Sequence, residues 1–189
     1  MTNKDQNTFR FDCGGVWLNL LATKGRSFSA KPVERLATPH LLSEWLEHSE
    51  LAPVRQVSED DLRQARQVRE VLRVLALAAV DEEPSPTGAA ADLVGFLAEH
   101  DGPVRLTADD RLRRDPPLTT ANALARIARQ AVEQLTSADR LALKVCPEGD
   151  CRGVFVDPPG RRRWCPSPAC ASRGRVRALR ARRAEAQTV

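Results

Sequence analysis

The sequence predicts a mainly α-helical protein: a helical N-terminal domain over residues 1–140, then a small C-terminal module of β-hairpin and helix, treble-clef or ribbon-like, over 141–189. Three observations predict it. Apolar residues recur at helical spacing through several segments of the first part. Four of the five cysteines crowd into the last quarter as C-x4-C-x13-C-x4-C. A helix-forming stretch rich in arginine follows them.

Taken in order, "FRFDCGGVWLNLLATKGR" sets a short apolar run after a glycine pair, either a strand or the first turn of a helix. "KPVERLATPHLLSEWLEHSEL" places Leu36, Leu41, Leu42, Trp45 and Leu46 on one stripe, with Pro39 near the helix start. "SEDDLRQARQVREVLRVLALAAV" is the clearest helix. Ser58 is its N-cap, Glu59, Asp60 and Asp61 put negative charge where the helix dipole favours it, and Leu62, Ala65, Val68, Leu72 and Leu75 keep the period. "DEEPSPTG" breaks the pattern. A shorter helix follows over "AAADLVGFLAEH", and "GPVRLTADDRLRRDPP" reads as a small hairpin or an irregular loop. "LTTANALARIARQAVEQLTS" is a further amphipathic helix with Leu124, Ile127, Ala128, Ala131 and Leu135 inward.

Composition narrows the class. With 4% aromatic residues and no tyrosine, the three tryptophans and five phenylalanines are expected in packing. No 18-residue apolar run exists, since Arg73 interrupts "VLRVLALAAV", so no membrane span is expected. The N-terminus has no apolar leader, which predicts a cytoplasmic protein with reduced thiols. The net charge of +4 conceals a split. From Cys146 onward ten arginines face four carboxylates, a net +6, which leaves −2 for the first 145 residues. A basic end on a near-neutral body suggests a polyanionic partner.

The cysteines carry the strongest signal. Cys146, Cys151, Cys165 and Cys170 form two short-loop pairs, the spacing that brings four sulfurs around one zinc ion. Pro147, Gly149, Pro166 and Pro168 are turn formers that let each loop fold back. Two disulfides, a redox dithiol or a chance spacing are the competing readings. Reduced thiols disfavour the first, and the second would be expected as C-x-x-C at a helix start. Four thiolates fill the coordination sphere, so the zinc is structural. Between the pairs, "GVFVDPPGRRRW" reads as a hairpin around "DPPG".

After Cys170 the chain can form a helix interrupted only by Gly174. On a helical wheel Arg173, Arg177 and Arg180 fall together, and Val176 and Leu179 lie on an adjoining face from which they could dock on the module or on Trp164. Such a helix can straddle a phosphate backbone or enter a major groove.

The combined pattern resembles the CGNR zinc-finger family, bacterial proteins regarded as transcriptional regulators. The matching positions are Cys146, Cys151, Phe155, Asp157, Arg163, Trp164, Cys165, Cys170, Arg173 and Arg175; the chain reads "CASR", with Ala171 and Ser172 in place of Gly and Asn. The first part resembles the helical ABATE domain that accompanies this finger. Gly14-Gly15, Leu18, Thr23, Arg26, Glu34–Leu36, Leu42 and Trp45 carry that likeness. "LNLLAT" stands where the family has "LDFVNT", so Asn19 replaces an acid and Ala22 an amide. The resemblance implies a ligand-sensing role for this domain, with Asn19, Thr23 and Arg26 as candidate effector contacts.

The expected function is that of a zinc-dependent DNA-binding transcriptional regulator. Zinc fixes hairpin and helix, while Arg161, Arg162, Arg163, Arg173, Arg175, Arg177, Arg180, Arg182 and Arg183 contact duplex DNA. The helical body serves a small-molecule effector or a homodimer. The alternatives are an RNA-binding module and a protein-interaction module. His40, His48 and His100 are scattered, and no catalytic constellation or phosphate-binding loop stands out, so an enzyme is not expected. Cys13 is expected as a small buried side chain.

Overall fold

The computed structural model describes residues 8–103, 106–108, 112–157 and 159–186. Helix α1 (Val16–Leu21) follows the glycine pair and settles the strand-or-helix question. A minimal hairpin of β1 (Lys24–Gly25) and β2 (Val33–Glu34) comes next. Then come α2 (Pro39–His48), α3 (Glu59–Val80) and α4 (Thr87–His100). A second hairpin pairs β3 (Leu106–Ala108) with β4 (Leu112–Arg114), and α5 (Thr120–Thr136) closes the helical part. A 3-10 turn (Ala138–Ala142) leads into β5 (Leu143–Val145), β6 (Val154–Val156) and α6 (Pro168–Ala186). No described helix is long and apolar enough to cross a membrane.

Local chemistry sets the long helices. Ser58 and Asp61 form a reciprocal capping box at the start of α3, and Thr119 with Asn122 does the same for α5, so orphan backbone donors at both N-termini are satisfied. Pro39 opens α2 after the Thr38 cap. The core is where α1, α2, α3 and α5 meet, around fully buried Trp17, Trp45, Leu18, Leu72 and Leu124. Leu41 and Leu135 lie at its margin.

Charged side chains also enter this core. Arg69 is 2% exposed and forks onto Glu34, with Nη1–Oε1 at 2.7 Å and Nη2–Oε2 at 2.5 Å. Its Nε donates to Glu70 at 3.0 Å, and Nη1 also reaches Thr23 Oγ1 at 3.0 Å. Arg73, which breaks the apolar run in the sequence, is buried too; it donates to Glu70 and to the Leu21 carbonyl. These pairs tie α3 to the β1–β2 hairpin and the end of α1.

The structure moves the expected hairpin of the zinc module. Val154–Val156 pairs antiparallel with Leu143–Val145, in register Leu143↔Val156, Lys144↔Phe155 and Val145↔Val154. The first cysteine knuckle is therefore the hairpin loop. The stretch after "DPPG" is not a strand, so the pairing expected across "GVFVDPPGRRRW" is replaced by pairing across "CPEGDC". Phe155 joins the main core with Leu143 and Val154.

The module is thus seated on the helical part. The Val156 amide donates to the Cys13 carbonyl at 2.8 Å. Gly14, at φ +99°, passes so close that a Cβ there would sit 2.7 Å from Val156 Cβ. No other residue fits both constraints.

Candidate metal centre and basic helix

Two backbone turns present the cysteines. Cys146 follows β5, and its amide donates to the Gly153 carbonyl at 2.9 Å. The amides of Cys151 and Arg152 both donate to the Glu148 carbonyl, at 2.8 and 2.9 Å, which folds the loop back on itself. Arg152 takes the left-handed conformation at φ 45° to complete the turn. The second pair comes from the entry to α6. Cys165 precedes it, and Cys170 lies in its first turn with its amide on the Ser167 carbonyl at 3.1 Å.

The four sulfurs lie within 4.8 Å of one another, and no disulfide joins them. Cys151 and Cys165 have Sγ atoms 3.8 Å apart, the edge of a tetrahedron with Zn–S bonds of about 2.3 Å. Without a cation such a cluster cannot ionise fully. Hydrogen bonds from Cys151, Cys165 and Cys170 hold the Cys146 thiol well below its ordinary range, while those from Cys146, Cys151 and Cys170 push Cys165 up. A dication bound by all four resolves that conflict. The donor set, its spacing and its burial fit one structural Zn²⁺, leaving no coordination position for a substrate.

Behind the sulfurs sits a carboxylate that the sequence pattern did not single out. Glu148 is 3% exposed. It accepts from Trp164 Nε1 at 3.3 Å and from the guanidinium of Arg177, and Arg173 Nε lies 3.7 Å away. Arg173 also donates to Asp150 at 3.0 Å, while Asp150 pairs with Arg26 at 3.3 Å. The available signal was the presence of two carboxylates inside one knuckle loop of an otherwise basic module.

Helix α6 docks by a different face from the one expected. The indole of Trp164 lies flat against Gly174, where a Cβ would fall 2.4 Å from Nε1. Cys170, Arg173, Gly174 and Arg177 therefore face the module. Val176 and Leu179 are 46% and 44% exposed, so the expected docking of these two does not occur. The missing side chain of Gly174, not an apolar strip, is what seats the helix.

The nine arginines expected at a nucleic acid divide into two groups. Arg173 and Arg177 hold Glu148, and Arg162 reaches Asp12, with Nη1–Oδ2 at 3.4 Å. Arg163 stacks over Trp164, 5.3 Å from the ring centre. Arg161, Arg175, Arg180, Arg182 and Arg183 are exposed and make no ion pair among the described residues.

The three expected effector contacts do not converge. Asn19 is buried, and its Oδ1 accepts from the Cys13 amide at 3.0 Å. Thr23 is buried between Arg69 and the Leu20 carbonyl. Only Arg26 lines the cavity between the helical part and the cysteines. The Asn19 side chain thus serves the local backbone before α1.

Comparison with known families agrees with this architecture. Residues 14–138, about two thirds of the chain, match the ABATE family, described as "putative stress-induced transcription regulator". The chain belongs to the ABATE family. Residues 142–183 match the CGNR zinc finger, in the same order along the chain as the resemblance implied. No curated protein matches the chain. In this ABATE protein the altered "CASR" signature falls in the first turns of α6 and leaves the cysteine cluster intact, with Ala171 half-buried and Ser172 exposed.

Proposed function

We propose that this ABATE protein is a zinc-dependent, non-enzymatic transcriptional regulator whose α6 contacts duplex DNA. One observation carries the reading: α6 pairs its inner arginines with carboxylates and leaves Arg175, Arg180, Arg182 and Arg183 outward with no counter-charge among the described residues. Arg175 to Arg183 spans about 12 Å of helix at about 1.5 Å per residue, close to the width of a B-DNA major groove. Arg161 and Arg163 add exposed charge beside it. Recognition of single-stranded RNA calls for exposed stacking platforms. Phe155 is buried in the main core and Trp164 is covered by α6, which favours duplex DNA over that alternative.

Selection of random DNA duplexes by the zinc-loaded full-length protein tests the reading. The expected result is an enriched motif that disappears after chelation. Retention of single-stranded RNA in preference to duplex DNA would replace it with the RNA-binding alternative. Failure to retain either would move the module to protein interaction.

A further inference from the structure

A largely enclosed cavity of about 110 Å³ lies between the helical part and the cysteine cluster. Its charged lining apart from the zinc-binding sulfurs has one sign. Arg10, Lys24, Arg26, Arg35, Arg73 and Arg173 contribute six cationic side chains, and no carboxylate lines it. Pro168, Ala169 and Cys170 from the first turn of α6 also face it, so the positive end of a 19-residue helix adds to the field.

Most of these cations have a carboxylate elsewhere. Lys24 and Arg73 share Glu70, and Arg26 and Arg173 share Asp150. Arg35 has none among the described residues. It is 8% exposed, its Nη1 donates to the Ala22 carbonyl at 3.0 Å, and its Nε has no hydrogen-bond partner. Burial, and then the neighbouring Arg10, lower its pKa, and the more distant pull of Cys151 and Glu34 does not make up for them. Gly25 makes room for it, since a Cβ there would lie 2.7 Å from Arg35 Nη1. A buried guanidinium with no direct ion pair and an unpartnered Nε is costly, and such groups are ordinarily paired.

We infer that this cavity binds a small anion bearing a phosphate or carboxylate group, with Arg35 as its central contact and Lys24 and Arg26 at its mouth. The bound anion touches both the β1–β2 hairpin and the start of α6, so it bridges the ABATE part and the finger. The rival role for Arg35 is charge balance for the thiolates, because Cys151, Cys165 and Cys170 form part of the same wall. That role needs no ligand, and the two separate in a direct binding experiment independent of DNA.

The zinc-loaded full-length protein is titrated calorimetrically with inorganic phosphate and, in a parallel arm, with succinate, against a chloride background. Saturable binding of one anion per chain is expected, and the arm that binds more tightly identifies the headgroup. Arg35→Gln is expected to weaken it at least tenfold with zinc content unchanged. Lys24→Ala, at the half-exposed mouth, is expected to weaken it several-fold and serves if Arg35→Gln does not fold. If neither anion binds the wild type, or if both variants bind as the wild type does, the inference is overturned. Loss of zinc from Arg35→Gln without anion binding to the wild type would assign Arg35 to the thiolates instead.

Discussion

The carboxylate of Glu148, buried in the first cysteine knuckle, is held by the guanidinium of Arg177 on α6, 29 residues further along the chain. This pair joins the hairpin loop to the helix independently of the metal. It also orients Trp164, whose indole N–H donates to the same carboxylate. The finger is therefore built around two centres, four sulfurs and one carboxylate.

Glu148→Gln keeps the side-chain volume and removes the charge that Arg173 and Arg177 answer. Breaking a buried pair from one side leaves uncompensated charge, here softened by the exposure of Arg177. We expect a loss of about 1–3 kcal/mol in the unfolding of the zinc-loaded protein, measured by denaturant melts. An unchanged melt would show that zinc alone seats α6.

Gly174→Ala distinguishes packing from helix propensity. In an exposed helix this change stabilises by about 0.5–1 kcal/mol. Here the new Cβ would collide with an indole pinned by Glu148 on one edge and stacked by Arg163. The expected outcome is destabilisation of about 1–3 kcal/mol, with a shift in Trp164 emission. A more stable variant with unaltered emission would contradict the docked geometry.

How much of this was legible beforehand depends on how local the physics is. Ser58 and Asp61 cap α3 through contacts three residues apart, and the cysteine spacing encodes its own cluster, so both could be read directly. The hairpin could not be placed, because Val154–Val156 is three residues long and its partner is chosen by the knuckle turn at Glu148 and Arg152. A helical wheel gives the angles around α6 but not which arc faces the module. That is decided by Gly174 having no side chain where Trp164 arrives. The burial of Arg69 and Arg73 was not legible either, because it depends on Glu34, Thr23 and the Leu21 carbonyl, contacts 35 to 52 residues away that the spacing of α3 does not encode.

Thiol counting tests the metal centre. Burial, aided by Asp12, pushes the Cys13 thiol up to about 12, so it stays protonated at neutral pH and unreactive. The native zinc-loaded protein is expected to show almost no reactive thiol with a disulfide reagent. Chelation should expose four, with the fifth appearing only on denaturation. Reaction of Cys13 before chelation would place it at an accessible site.

Glu70 gives the helical part a defined acid response. Burial alone would raise its pKa, but Arg73, Arg69 and Lys24 outweigh that and hold it below the ordinary value. A carboxylate depressed in the folded state contributes stability above its unfolded pKa of about 4.3 and loses it as pH falls through the lower folded value. Glu70→Gln should therefore be less stable than wild type at neutral pH, and the gap should narrow on acidification to about pH 3. Zinc release in acid affects both proteins alike, so the difference between them is the readout. A gap that persists unchanged into acid would mean that Glu70 acts through shape rather than charge.

The two arginine groups on α6 predict opposite phenotypes. Replacing Arg180, Arg182 and Arg183 together with glutamine removes exposed charge and touches none of the described ion pairs. We expect zinc content and melting to be unchanged while DNA affinity falls and the salt slope flattens by about 2–3, at about 0.9 for each phosphate no longer neutralised. Arg173→Gln and Arg177→Gln should instead lower finger stability first, because both hold Glu148. Binding should then disappear with the fold and recover in part at saturating zinc. The decisive comparison is DNA affinity at equal folded fraction. If the triple variant then retains the wild-type slope, Arg180, Arg182 and Arg183 do not bind the phosphates, and Arg175 with Arg161 and Arg163 become the next to replace.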